Sequence, residues 1–498
     1  MTAFVPPPKT ATPQVLILGA GMSGILAGIK LKEEGIESFE ILEMGGDVGG
    51  TWRDNTYPGL SCDVPAHSYD YSFEHNWRWK STYAEGAEIH AYFKHCSDKY
   101  GVTPHVRLNT RVTSVVREKG AWTVTTADGV SRRADIVINC LGVLVHPMTP
   151  DIPGLESFKG ARFHSARWDH SVPLDGKKIG VIGTGSTATQ ITVALADRAK
   201  HFTMFQRTAQ WVSPNFDTKR PAWLRGLHRA FPGLSAVTGK FQNWILERIF
   251  CRAVVGDKKM QALLQYFCDK HLASVKDPVL REKLTPKFKL GCRRLIFSDK
   301  FYDAIQKPNV ALVTEGIERI EPNGVRTKDG KLHELDVLVT ATGFHALDYT
   351  RNLVIRGESG QSLGDVWDSG AKALRSVAVS GFPNYFMLIG PHSPIGNFSL
   401  TGISEIQMRY IMKFVRMIKN GEAKAVDPKP SAQDRYNQHI VDGFAGTQWV
   451  TGCSSWYLDK NGLPRMYPFT PDQYRIDMSN PDVSEFVVTS DTPRPVAA

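Results

Sequence analysis

Two glycine-rich strings in this 498-residue chain have the spacing of a turn that holds a pyrophosphate: GAGMSG, Gly19 to Gly24, and GTGSTA, Gly183 to Ala188. Each follows a short apolar run, Val15-Leu16-Ile17-Leu18 or Ile179-Gly180-Val181-Ile182, and each leads into an apolar helical pattern. A strand, a glycine turn and a helix bring backbone N–H groups and the positive end of the helix to one anion. The candidate contacts are Gly19, Gly21, Met22, Ser23 and Gly24 in the first turn, and Gly183, Thr184, Gly185, Ser186 and Thr187 in the second. One such string is weak evidence, whereas two copies in the right strand–helix context are much stronger.

The residue 24 positions after the first glycine separates the two turns. It is Glu43 in one and Arg207 in the other (43 − 19 and 207 − 183). Both are expected at the end of the second strand of their unit, beside an adenosine ribose. A carboxylate there accepts hydrogen bonds from free 2′ and 3′ hydroxyls and repels a 2′-phosphate, so the first site suits FAD or NAD. A guanidinium pairs with a 2′-phosphate, so the second suits NADPH, with Gln206 and Thr208 flanking Arg207 as further partners. A flavin and NADPH in one chain imply hydride transfer to the flavin. A disulfide reductase would then need a cysteine pair beside it. The seven cysteines (62, 96, 140, 251, 268, 292 and 453) are scattered and contain no CxxC. Reduced thiols, a cytoplasmic location and no metal site are therefore expected. Reaction of the reduced flavin with oxygen becomes the main outcome.

These turns require parallel sheets to carry them. Second strands follow at Phe39–Leu42 and Phe202–Phe205, completing two βαβ units. The fold class is α/β, with two Rossmann-like dinucleotide-binding domains and a helical insertion. Trp122 to Val130 and Ile136 to Cys140 read as sheet segments closing the first domain, and a helix is expected to run to about Ala199 in the second. Strands return at Val310–Val313 and at Val337–Ala341, which leads into Ala341-Thr342-Gly343. From Pro214 to about Lys287 helical patterns dominate, with Trp223, Phe231, Phe241 and Trp244 among many basic residues. The expected boundaries are 1–150 with 376–498 for a discontinuous FAD-binding domain, 151–213 with 288–375 for an NADP-binding domain, and 214–287 for a helical insertion or lid. Length alone suggests about three domains, and 42% hydrophobic with 22% charged residues excludes a disordered chain. The net charge of +10 comes without dense Lys/Arg blocks interleaved with aromatics, so nucleic acid is not an expected partner. No apolar run approaches the roughly 18 residues of a membrane span. Met1 to Pro13 reads as a loose tail, neither signal peptide nor anchor.

Three features resemble the type I Baeyer–Villiger monooxygenases within the class B flavoprotein monooxygenases. FKGARFHSARWD, Phe158 to Asp169, fits the fingerprint FxGxxxHxxxW followed by Pro or Asp, through Phe158, Gly160, His164, Trp168 and Asp169. GGTWRDNTYPGLSCD, Gly49 to Asp63, fits the longer pattern through Gly50, Trp52, Tyr57, Pro58, Gly59 and Asp63. The order of parts is also the family's, and the resemblance covers nearly the whole chain. It implies an enzyme that reduces FAD with NADPH, traps O2 as an arginine-stabilised C4a-peroxyflavin, and inserts oxygen beside a ketone carbonyl to give an ester or lactone, with sulfides as further substrates. The catalytic arginine matches Arg294 in GCRRL, with Asp63 as its supporting carboxylate. Arg293 matches a basic residue on the 2′-phosphate, where many members have lysine, and Trp456 matches a tryptophan on the nicotinamide cofactor. Gly50, Thr51, Trp52, Tyr69 and Val112 are implied FAD contacts, and Ser61 and Cys62 NADP contacts. The chain departs from the family at Leu458-Asp459-Lys460-Asn461, where many members have glycine-alanine-asparagine, and at His345, where aspartate is common.

A permanently protonated guanidinium suits the stabilisation of a peroxide and then of a tetrahedral oxyanion. His164 lies in a connector between the two turns, so a linker role is favoured over proton transfer. In the insertion, Arg220, Arg225, Arg229, Lys240, Arg248 and Arg252 alternate with apolar residues. A substrate lid with a solvated basic face is favoured there over a peripheral membrane surface. The rival functions are a class B N- or S-hydroxylating monooxygenase, whose peroxyflavin is protonated, and a non-catalytic flavoprotein that senses NADPH. Which ketone is oxidised, and the oligomeric state, are not legible in the sequence.

Overall fold

The computed structural model describes residues 12–350, 353–395 and 398–490. Most of the expected N-terminal tail lies outside the described residues, as do residues 351–352, 396–397 and 491–498. In chain order the elements that position the site are β1 (Val15–Leu18), α1 (Met22–Glu33), β2 (Phe39–Leu42), β3 (Val106–Arg107), β4 (Ile136–Asn139), β5 (Ala161–His164), β6 (Lys178–Ile182), α2 (Ser186–Leu195), β7 (His201–Phe205), α3 (Ala222–Ala230), α4 (Pro232–Ile245), α5 (Lys258–Leu272), β8 (Val310–Val313), β9 (Val337–Thr340), β10 (Tyr385–Met387) and α6 (Leu400–Lys419).

The strands form two five-stranded parallel sheets, ordered β10-β4-β1-β2-β3 and β8-β7-β6-β9-β5. In each, the strand before the glycine turn is central. Leu18 of β1 is in register with Leu42 and Asn139, and Ile182 of β6 with Phe205 and Thr340. An antiparallel meander precedes the late partner in both, over 112–134 before β4 and 317–334 before β9. All four residues of β1, β4 and β9 are buried, as both faces of a helix-covered parallel sheet require. After the second sheet the chain returns through β10, which pairs with β4, and α6, which packs across α1.

Two expected elements differ. The strand expected over Trp122 to Val130 is a hairpin, Ala121–Thr126 and Ser131–Ala134, because Asp128-Gly129 supplies the turn and Gly129 adopts φ +84°. The helix after the second turn ends at Leu195, short of Ala199. The cysteine expectation is also corrected. Cys292 and Cys453, 161 residues apart, lie with their Cα atoms 6.2 Å apart and are joined in a disulfide, while the other five described cysteines are buried and outside any disulfide. Among the described residues no helix is long and apolar enough to cross a membrane.

Candidate active site

Arg294 and Asp63 come from different halves of the chain and meet. Asp63 follows a segment fixed by the Cys62 N–H bond to the Ala84 carbonyl, 3.0 Å. Arg294 follows a turn at Gly291 and leads into Ile296–Phe297, which pairs with Val212–Ser213. The guanidinium donates in a fork: Nε to Oδ2 at 2.9 Å, and Nη2 to Oδ1 and Oδ2 at 2.7 Å each. The Asp63 charge raises the arginine's already high pKa and outweighs the opposing effect of burial. About a third of the Arg294 side chain stays accessible, so the charge is fixed without being sealed off. Tyr457, 2% exposed, lies near the same guanidinium, whose positive charge opposes the rise that burial gives the phenol's pKa. Sequence reasoning passed over this phenol, although it directly follows Trp456. Asp63 and Arg294 share the wall of a small cavity with Val64, Leu246, Phe250, Leu295, Phe297 and Phe398. One ion pair in an otherwise apolar lining can hold an apolar molecule against a fixed positive charge.

At the first turn, Gly50 has φ +55°, and a Cβ there would meet the Gly21 Cα at 2.9 Å. Gly49 N–H bonds the Ala20 carbonyl, 2.9 Å. The Gly50–Thr51 backbone thus lies directly on the turn and forms a cradle that side chains would fill, which fits a dinucleotide. Beside it the Trp52 indole donates to the Tyr69 hydroxyl at 3.2 Å. The first-turn residues also engage the protein itself. Glu43 is 4% exposed, and its carboxylate accepts from Ala20 N–H (2.8 Å), Gly45 N–H (2.7 Å) and Arg53 (2.7 Å), so protein donors already engage it. Arg53 is a partner that the sequence did not advertise. The Ser23 hydroxyl is turned to Ser404 of α6, 3.0 Å away, because α6 covers α1 there. Val112 starts the meander and packs at the edge of the core cluster containing Leu18 and Leu42.

At the second turn, Arg207 is exposed at the end of β7. Arg293 lies over the Phe288 ring at 4.9 Å, with its Nε buried and unpartnered. Burial and the Arg207 charge both push its pKa down. Two guanidiniums held close enough to oppose each other, one with an orphaned donor, fit an anion such as a 2′-phosphate. Gln206 does not join them. Its amide is buried and donates to the Lys283 carbonyl at 2.7 Å, tying β7 to the insertion. The Thr208 carbonyl accepts from the Thr184 hydroxyl, 2.9 Å, closing the turn on itself. Thr187 faces the Tyr57 hydroxyl, which also donates to Gln190 at 2.8 Å. Gln190 in turn donates to the Ser61 carbonyl, 3.0 Å, and hydroxyl, 3.2 Å. Cys62 is a buried thiol whose pKa is pushed up by burial, so it is neutral.

The linker fingerprint is a packed joint. Phe158 and Trp168 are buried, and Trp168 meets Phe163 edge to face at 4.8 Å. A Cβ at Gly160 would strike the Asp336 carbonyl at 2.4 Å. His164 accepts from Ala166 N–H at Nδ1, 3.1 Å, and its ring meets Phe344. Burial lowers its pKa, against a contact with the Gly343 backbone. Trp456 is 38% exposed, and its ring lies 4.4 Å from that of Tyr457. The departure at 458–461 has a clear structure: Asp459 accepts from Asn461 and Leu463 N–H, both 2.9 Å, and pairs with Arg465, while Lys460 pairs with Asp368 at 2.8 Å. His345 bonds through its N–H to the His146 carbonyl, 3.0 Å, on the strand-like contact between the two segments.

Comparison with known proteins gives the family. The family described as Flavin-binding monooxygenase-like matches residues 12–355, and the chain belongs to it. An uncharacterised monooxygenase of Mycobacterium tuberculosis is 43% identical over 491 residues, 98% of this chain and 99% of that protein. A Baeyer–Villiger monooxygenase of Streptomyces coelicolor is 36% identical over 97% of this chain and 94% of its own length. The crystal structure of cyclohexanone monooxygenase from Rhodococcus sp. Phi1 bound to NADP+ superposes with a TM-score of 0.85 at 30% identity, covering 96% of this chain and 99% of that one. The protein is an NADPH-dependent FAD monooxygenase of the Baeyer–Villiger type.

Proposed function

We propose that this enzyme inserts one oxygen atom of O2 beside the carbonyl of an apolar ketone, giving an ester or lactone, and oxidises sulfides in the same cavity. The observation that carries the reading is the forked Arg294–Asp63 pair in an apolar wall. Bound FAD, reduced by NADPH, supplies the activated oxygen. The chain's residues do the rest. Gly19 to Gly24 and Gly50–Thr51 cradle the FAD pyrophosphate, with Trp52 and Tyr69 packing beside it. Arg207 and Arg293 hold the NADPH 2′-phosphate, and Trp456 covers the nicotinamide. Arg294 keeps its positive charge at any working pH and stabilises the negative charge that develops on oxygen during attack. Asp63 fixes the orientation of the guanidinium. Leu246, Phe250, Phe297 and Phe398 exclude water and admit apolar substrates. His164 acts as a joint between the two nucleotide halves. The supply of NADPH suits a cytoplasmic setting.

Arg294→Ala tests the assignment. The variant should bind FAD and NADPH, and NADPH should still bleach the flavin. Ester formation should fall by about a hundredfold or more, the scale for losing one preorganised oxyanion donor. The NADPH consumed should appear as hydrogen peroxide. Product per NADPH, measured by mass over a ketone panel with flavin reduction followed by stopped flow, decides it. Ester yield near the parent value would remove Arg294 from the mechanism. Turnover of amines or sulfides with no ester from any ketone would favour the N- or S-hydroxylating rival.

A further inference from the structure

Helices α3 and α4 are built inside out. On α4 the buried positions are Ser235 and Gly239, a small hydroxyl and no side chain. A Cβ at Gly239 would meet the His67 carbonyl at 2.4 Å, so this polar face is pressed onto the protein. The outward positions are Val237, Phe241, Trp244 and Ile245, spaced at helical repeat, with exposed Lys240 among them. Phe241 is 60% and Trp244 57% exposed, and their rings lie 6.3 Å apart and nearly parallel. Helix α3 repeats the pattern. His228 is buried and bonded to the Ser235 hydroxyl at 2.8 Å, while Trp223 (70%), Leu227 and Phe231 (63%) point outward. The solvated basic face expected from the sequence is therefore corrected: the outer face is chiefly aromatic, with the cations interleaved. So many large apolar side chains gathered on one exposed face mark a surface that something covers.

The charge pattern identifies what covers it. Between Asp217 and Glu247 the chain carries no acidic residue, and of its five cations Lys219, Arg229 and Lys240 are exposed, while Arg225 is half-buried and Arg220 turns inward to His67. The neighbouring loop, joined by the Arg220 N–H bond to the Lys80 carbonyl, adds exposed Arg78 and Lys80. Trp77 lies between Arg78 and Arg229, with the guanidiniums 5.2 and 5.3 Å from its ring. A second copy of the chain would set this basic surround against itself in a two-fold contact, which like charges oppose. An anionic lipid surface satisfies both features, since aromatic rings settle at headgroup level and cations meet the headgroup charge. We propose that the outer face of α3 and α4 docks on an anionic bilayer, with Trp223, Phe231, Phe241 and Trp244 inserted among the headgroups. This docking is independent of the oxidative chemistry. One consequence rests on the function proposed above: the same helical run continues from Trp244 into Leu246 and Phe250 of the cavity wall, so an apolar ketone dissolved in the bilayer meets the helix that walls the site.

The test is co-sedimentation of the flavin-loaded full-length protein with sucrose-filled vesicles, of phosphatidylcholine alone or mixed with phosphatidylglycerol, at low and high salt. Neither NADPH nor ketone is present, so the result does not depend on the function reading. The protein should sediment with the phosphatidylglycerol vesicles, less so at high salt, and hardly with phosphatidylcholine. A triple variant, Trp223→Ser, Phe241→Ser and Trp244→Ser, should bind about tenfold or more weakly. It should retain its flavin and its NADPH oxidation in lipid-free buffer. Arg229→Glu with Lys240→Glu should weaken binding as well. The proposal is overturned if the parent does not sediment with anionic vesicles, or if the triple variant sediments like the parent. It is overturned equally if light scattering shows a dimer that the triple variant dissolves while no vesicles are bound.

Discussion

At the end of its second strand the first half of the molecule carries Glu43, 4% exposed and held by two backbone N–H groups and Arg53. The second half carries Arg207 at the equivalent place, exposed to solvent. The turns differ in the same sense. Gly24 of the first packs so tightly that a Cβ would come within 1.9 Å of the Gly19 carbonyl oxygen, whereas the equivalent of Gly24 in the second is Ala188, whose methyl is accommodated with full burial. One topology has thus been built once as a closed, pre-organised cradle and once as an open one. On the assignment proposed above, the closed cradle suits a flavin that stays through every turnover. The open one suits a nicotinamide cofactor that arrives and leaves, with binding resting on exposed charge.

The largest effect should come from exchanging these turn residues. Gly24→Ala forces a methyl into backbone and should cost about 3 kcal/mol, the upper range for overpacking, with loss of bound FAD. Ala188→Gly should cost only about 0.5–1 kcal/mol, the helix penalty of glycine, and keep the flavin. Flavin content after purification and the thermal midpoint report both. Equal flavin loss in the two variants would break the contrast drawn between the halves.

The next effect should appear at the exposed charge. Arg207→Ala should lose about 1.5–3 kcal/mol of NADPH binding, the range for hydrogen bonds to a charged group, while NADH use hardly changes. Comparing kcat/KM for the two cofactors checks this, and equal loss for both would show that Arg207 does not read the 2′-phosphate.

Much of this contrast was legible in the sequence because βαβ geometry is rigid. A 24-residue offset leaves little freedom for where Glu43 and Arg207 fall. The Arg294–Asp63 pair came only through resemblance, since 231 residues separate its members and neither has a local signal. Cys292 and Cys453 were missed for the same reason: pairing depends on tertiary proximity, which spacing does not carry. The outward aromatic face of α4 was missed for a different one. Helical periodicity identifies a stripe, but not which side of the helix the protein covers. Gln206 shows the limit at single-residue scale, because adjacency to Arg207 placed it in sequence near the phosphate while the Lys283 carbonyl takes its amide N–H.

The smallest effect should be found where the halves touch. Gln190 lies on α2, the helix that begins at the second turn, yet its side chain serves the first half: it accepts from the Tyr57 hydroxyl and donates to the Ser61 carbonyl and hydroxyl. Gly59 lies against the Gln190 backbone, where a Cβ would meet its carbonyl at 2.8 Å, so the loop stays docked even without the side chain. That loop runs into Asp63, and Asp63 orients Arg294. Gln190→Ala should therefore lower stability by only about 1 kcal/mol, the net worth of an ordinary hydrogen bond. FAD content and the NADPH KM should stay close to the parent's. Product formed per NADPH should fall more than the thermal midpoint suggests, because a looser Asp63 lets the guanidinium drift from the position in which it meets developing charge. Gln190→Glu keeps the acceptor for Tyr57 and removes the donor to Ser61, so it should fall between the two. A lowered thermal midpoint with full coupling in both variants would make Gln190 a structural bolt only, without influence on the position of Asp63.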